Sequence, residues 1–250
     1  MKTNIVLILF NKVWTTMKNL FSTTPSIYNY PNKFAPNLSM IIKEDSIEID
    51  GYQKYVIYKN QIVPNPNSYD LLTKYNLLKD DLQKDLKGKS ILDLGANSGF
   101  FTFLAYQNGA TCRAIDMDKD YVKLMNEVSN HYGFDIIIDD QNIIDIKKPA
   151  DIVIALSLIH WVYSCTSVFD SMESLIKFFS SLVRECLIIE WIDPNDSAIN
   201  CFKHLNHNVN FTNNTYNYNE FMKSMKNNFS SIVKLGVTRN KTRQLYKAIK

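Results

Sequence analysis

The sequence predicts an α/β protein built on a doubly wound, mostly parallel sheet, and three observations carry that expectation. The first is the stretch Ile91 to Phe100, ILDLGANSGF, where Ile91, Leu92 and Leu94 fill a buried strand and Gly95 to Gly99 turn sharply into a helix carrying Phe100, Phe101, Phe103 and Leu104. The second is that apolar runs and helical periods alternate from there on, as such a sheet requires. The third is that acids stand at or just past the ends of successive strands, Asp116 first and then Asp139 and Asp140.

The chain of 250 residues, 46% hydrophobic and 21% charged, is long enough for one ample core and an extension. A net charge of +3 demands neither nucleic acid nor an anionic membrane as partner, although it leaves room for a local basic patch. Cys112, Cys165, Cys186 and Cys201 form no C-x-x-C pair, which points to reduced thiols and a cytoplasmic setting. The apolar run Ile5 to Phe10 is too short for a membrane span and lacks a cleavage pattern, so it reads as part of the mature chain.

Residues 1–66 read as an extension. Pro25, Pro31 and Pro36 predict an irregular arm or lid up to about Asn37, after an amphipathic helix around Val13 to Phe21. Ile47 and Ile49 alternate up to Asp50-Gly51 and Tyr55 to Tyr58 returns, which predicts a hairpin with a two-residue turn. The pair Pro64 and Pro66 closes this module. From 67 to 250 the main domain follows, opening on a helix capped by Ser68 with Tyr69, Leu71, Leu72, Tyr75 and Leu78 on one side.

Within that domain the spacing predicts a helix from Gly99 to Gln107, a strand from Thr111 to Ile115 and a helix to His131 with Tyr121, Val122, Met125 and Val128 inward. Asp118 and Asp120 fall in that helix's first turn, where the dipole favours acids. Strands are expected at Phe134 to Ile138, Asp151 to Leu156 and Cys186 to Ile189, with a helix from Thr166 or Ser167 between the last two. A helix at Tyr218 to Met225 and an antiparallel pair, Phe229 to Leu235 with Arg243 to Ile249, close the chain.

Spacing narrows the ligand of the glycine turn. A dinucleotide fingerprint fails because the third and sixth positions from Gly95 are Asn97 and Phe100, and no Gly-Lys-Ser or Gly-Lys-Thr comes after to make a phosphate loop. The pattern left, D-x-G-x-x-x-G from Asp93 to Gly99, resembles motif I of the class I S-adenosylmethionine (SAM) dependent methyltransferases. The resemblance covers about Ser68 to Lys250 and implies SAM as cofactor and a seven-stranded Rossmann-like sheet with an antiparallel last strand. It also implies that Gly95, Asn97 and Gly99 lie under the methionine part of SAM, with Asp93 helping to hold its amino group. An acid just past the third strand often bonds the adenine amino group in this family, which leaves Asp139 and Asp140 both as candidates. Asp116, at the end of its strand, is placed to accept from both ribose hydroxyls.

The methyl acceptor is expected at the carboxyl ends of the strands, where S-L-I-H-W, Ser157 to Trp161, succeeds the fourth strand. His160 is the candidate general base, Trp161 or Tyr163 a π face for the sulfonium or acceptor, and Glu190 the second candidate for acceptor binding or base work. His160 and Glu190 each have a purely structural alternative, as a hydrogen-bonded core histidine and as a strand-end cap or salt bridge. A metal site at His204 and His207 is disfavoured because no matched ligand cluster accompanies them.

The residues just after the fourth strand separate the family's subclasses. An N-P-P-Y-like motif of amino methylases, the Pro-Cys of cytosine carbon-5 enzymes and the Lys-Asp-Lys-Glu set of ribose 2′-O enzymes have no counterpart here. The combination L-D-L-G-x-N-S-G-F-F, I-I-E-W-x-D-P-x-D and T-R-x-L-Y looks like bacterial and large-virus methyltransferases associated with sugars or other small hydroxylated acceptors. A looser similarity, L-S-L-x-x-W-V and D-L-G-x-N, is to RNA 5′-phosphate capping methyltransferases. A small-molecule or glycan acceptor is therefore expected, with no membrane partner, RNA as the alternative and a non-catalytic scaffold domain as the reading outside enzymology.

Overall fold

A computed structural model describes residues 26–29, 38–165, 168–200, 202, 216–239 and 241–250. The chain divides into two compact units, Met1–Leu72 and Thr73–Lys250. In the first, five antiparallel strands lie side by side in chain order: β1 (Ser26–Asn29), β2 (Ser39–Lys43), β3 (Ser46–Asp50), β4 (Tyr55–Tyr58) and β5 (Gln61–Pro64). The expected hairpin is thus part of a larger meander, and β1 occupies part of the stretch read as irregular. The two-residue turns also fall elsewhere. Glu44-Asp45 joins β2 to β3 and Lys59-Asn60 joins β4 to β5, whereas four residues separate Asp50 from Tyr55. At Lys59 and Asn60 both φ values are positive, the backbone that a twisted two-residue hairpin demands. The predicted helix around Val13 to Phe21 lies outside the described residues.

Helix α1 (Tyr69–Leu82) leads into the second unit, a seven-stranded sheet in the order β11-β12-β10-β9-β6-β7-β8. Its elements are β6 (Ser90–Leu94), α2 (Phe100–Gln107), β7 (Thr111–Ile115), α3 (Lys119–Tyr132), β8 (Ile137–Asp139), β9 (Ala150–Ala155), α4 (Ile159–Cys165), α5 (Met172–Ser181), β10 (Val183–Ile192), α6 (Tyr218–Asn228), β11 (Ser231–Arg239) and β12 (Arg243–Ile249). Strands β6 to β10 are parallel, and β12 runs antiparallel to both β10 and β11. The doubly wound sheet with an antiparallel last strand is therefore present. β6 has β7 on one side and β9 on the other, so the winding reverses there and a crevice opens at the carboxyl ends of these strands.

Several boundaries differ from expectation. Helix α5 starts at Met172, capped by a reciprocal Ser171–Ser174 box, while Val168 before it is exposed; the capping geometry outweighs the apolar period that suggested a start at Thr166 or Ser167. Strand β8 begins at Ile137. Strand β10 continues through Glu190 and Trp191, because β12 pairs with it as far as Ile192, and the expected end at Ile189 was too early. Asp118 does cap α3, accepting from the Asp120 amide at 2.9 Å, and the inward face of that helix is Tyr121, Leu124, Met125 and Val128.

Candidate active site

At the end of β6 the backbone passes through Gly95, Asn97 and Gly99 with φ of 68°, 57° and 86°, all in the left-handed region. At two of these positions an added side chain would also crowd a neighbour. A Cβ on Gly95 would lie 3.0 Å from Leu158 Cδ1, and one on Gly99 would lie 2.7 Å from Phe103 Cε2. The turn is tied to β7 by the amides of Gly95 and Ala96, which donate to the Ile115 carbonyl at 2.8 and 3.0 Å. Asp116 completes the tie: its Oδ2 accepts from the Asn97 amide at 2.7 Å and its Oδ1 from the Asp118 amide at 2.9 Å.

Asp93, which is buried, and Asp116, which is half-buried, form an acidic pair. Burial pushes the Asp93 carboxyl up to about 7, a hydrogen bond from Thr102 Oγ1 at 2.7 Å opposes the rise, and the Asp116 charge adds to it. Burial also raises Asp116 above its ordinary value, against the two amide hydrogen bonds. Carboxylates that burial and a neighbouring acid disfavour are relieved by a cation. A ligand bearing an ammonium and a sulfonium, as SAM does, fits that donor set.

Past β8 the two candidate acids separate. Arg113 Nε and Nη2 reach Asp139 Oδ2 at 3.2 and 3.1 Å, and Nη2 also reaches Gln141 Oε1 at 2.6 Å. One oxygen of Asp139 is held in that ion pair, whereas Asp140 is exposed.

At the carboxyl end of β9, the loop to α4 carries Ser157, a non-glycine residue at φ of 50°. His160, in the first turn of α4, is 1% exposed and lies edge-on to the Phe202 ring at 5.9 Å, with Trp161 tilted beside it at 5.8 Å. Its Nδ1 has no hydrogen-bond partner among the described residues. Burial, and after it the Arg243 charge, lower the imidazole to about 4, so it is neutral throughout the physiological range. Trp161 itself is 37% exposed.

Glu190 is not delivered past the end of its strand. It lies within β10 at 0% exposure, paired with Lys74 Nζ at 2.8 Å. Its Oε2 also accepts from the Ser157 amide and hydroxyl, each at 2.8 Å, and its Oε1 accepts from Thr238 Oγ1. Burial alone would push this carboxyl up, but the Lys74 charge and the hydrogen bonds from Lys74, Thr238 and Ser157 hold it below the usual range. Beside it Arg243 grips Asp196 with two bonds of 2.9 Å. The roles of Lys74, Ser157, Asp196, Thr238 and Arg243 escaped the sequence reading. Lys74 did leave a signal, since it shares the helical stripe of Leu71, Tyr75 and Leu78, and an ammonium on an apolar stripe needs a buried partner.

These features define a class. A family model described as a methyltransferase domain matches residues 85–236, and the chain belongs to that family: it is a SAM-dependent methyltransferase. The ribosomal protein L11 methyltransferase of Phocaeicola vulgatus is 33% identical over 92 residues, a match spanning 33% of this chain and only 31% of that protein. Among solved structures, the magnesium protoporphyrin IX methyltransferase ChlM of Synechocystis PCC 6803, with SAM bound, aligns with a TM-score of 0.51 at 17% identity, covering 74% of this chain and 78% of that one. The bifunctional kinase-methyltransferase WbdD aligns with a TM-score of 0.51 at 17% identity, covering 73% of this chain and 40% of that one. At such identities the shared feature is the fold.

Among the described residues no helix is long and apolar enough to cross a membrane, and no group of three or more His, Cys, Asp or Glu could hold a metal ion. His204 and His207 lie outside the described residues.

Proposed function

We propose that the chain transfers the methyl group of SAM to a hydroxyl, or an amine, of a sugar or other small acceptor, with residues 67–250 carrying the chemistry and a reducing, cytoplasmic setting. The observation that carries this reading is a buried, neutral imidazole whose Nδ1 has no partner among the described residues, on the loop-and-helix segment whose Leu158 lies against the glycine turn. Asp93 would hold the SAM ammonium, Asp116 the ribose hydroxyls and Asp140 the adenine amino group, over the turn from Gly95 through Asn97 to Gly99. Bound SAM supplies an already activated methyl carbon, so the protein's task is alignment. His160 takes the acceptor's proton, and Trp161 offers the acceptor an apolar face.

A small acceptor is favoured over RNA because Lys74 and Arg243, the cations that reach Ser157, are buried and neutralised by Glu190 and Asp196. They offer no basic track to a phosphate chain. Turnover of methyl-labelled SAM with a glycan and metabolite extract should therefore change little between about 50 and 200 mM salt, where loss of phosphate contacts would lower it steeply. A slope equivalent to several phosphates would favour the RNA 5′-phosphate acceptor instead.

A further inference from the structure

The ion pair between Lys74 and Glu190 joins three elements that the sheet does not otherwise link at this point: α1, β10 and the loop between β9 and α4. Lys74 Nζ donates to Glu190 Oε2 and to Ser157 Oγ, each at 2.8 Å, and Arg243 Nη1 approaches the same hydroxyl at 3.4 Å. Ser157 in turn donates its amide and its hydroxyl to Glu190 Oε2. The residue so gripped is the one non-glycine position in this loop with a left-handed backbone. Such a conformation is costly for a residue with a side chain and persists only where its surroundings over-determine it.

Stability alone does not account for the arrangement. A buried ion pair is often replaceable by neutral or apolar groups without loss of stability, because desolvation offsets most of the Coulomb attraction. Geometry is the pair's contribution here. We propose that the Lys74–Glu190 pair is a positioning clamp: it holds Ser157 in its left-handed conformation and so sets where Leu158 meets the glycine turn and where His160 enters the acceptor side. The clamp rests on the reading that this loop faces the acceptor, but its own test reads loop geometry and not turnover. Lys74 and Glu190 are thus positioning residues, and His160 is the group they position.

The His160 imidazole is the reporter, because its low value depends on being buried beside Arg243 and Asp196 and near Glu190 and Lys74. In Lys74→Met/Glu190→Gln one charge of each sign is removed; Glu190 raises the imidazole and Lys74 lowers it, so their loss largely cancels. Imidazole resonances of the full chain, assigned with His160→Gln, are titrated by NMR. We expect the His160 value to rise from about 4 to above about 5, towards the ordinary 6.5, while the melting temperature stays within a few degrees of the parent. Ser157→Ala is the second variant, since alanine keeps the amide bond to Glu190 and the cost of the left-handed backbone but loses the hydroxyl that Lys74 and Glu190 hold; it should move His160 in the same direction. Should the double variant fail to fold, Ser157→Ala decides alone. Folded variants in which His160 stays at about 4 would overturn the clamp. Calorimetry with S-adenosylhomocysteine (SAH) on the parent chain reports the cofactor site separately, so failure of that reading is distinguishable.

Discussion

His160→Ala is expected to lower kcat by about a hundred- to ten-thousand-fold, the range general-base help covers, while SAM affinity stays nearly constant. A base at about 4 is weaker than one near neutrality, which places the loss towards the hundredfold end. The same value fixes the sign of the pH dependence. The imidazole accepts a proton only while it is neutral, so activity should be sustained from neutral pH down through 6 and fall as pH drops through about 4. Stability changes in the same direction: an unfolded histidine titrates near 6.5, so the contribution of the neutral buried form is complete above that value and is lost as pH falls towards 4. A rate that survives both His160→Ala and Glu190→Gln would mean an acceptor amine that needs no base.

Asp116→Ala is expected to weaken SAM and SAH alike by about ten- to a hundred-fold. A carboxylate holding ribose hydroxyls is a charge-assisted contact worth roughly 1.5 to 3 kcal/mol, and both ligands carry the same ribose. The structure adds a second reason for a loss. Asp116 also accepts the amides of Asn97 and Asp118, so its removal loosens the turn itself and should lower the melting temperature without ligand. Unchanged affinity in calorimetry would remove Asp116 from the site.

The fold was legible because strand, glycine turn and helix are local signals. Ile91 to Phe100 announces its own backbone, and the alternation after it leaves few topologies. The glycine turn was legible for the same reason, since Asp93, Gly95, Asn97, Gly99 and Asp116 sit at or near strand ends that periodicity locates. Charges that meet across the fold were not. Nothing near Glu190 in the chain indicates Lys74, and the pair comes from positions 116 residues apart. Where β10 ends could not be read either, because its last residues are strand only through pairing with β12. The pairing of Asp139 with Arg113, a partner 26 residues away on the neighbouring strand, was likewise out of reach. In the first unit, Asp50-Gly51 is a strong local turn cue, yet registers across five strands put the tight turns at Glu44-Asp45 and Lys59-Asn60.

The most direct measurement tracks the methyl group. The full chain is incubated with methyl-labelled SAM and a whole-cell extract, which is then separated into small-molecule and glycan, RNA, and protein fractions. Label in the small-molecule and glycan fraction, lost in Asp116→Ala and strongly reduced in His160→Ala, is the predicted result. Label confined to RNA or protein, or label in the small-molecule fraction that His160→Ala and Asp116→Ala leave unchanged, would contradict it.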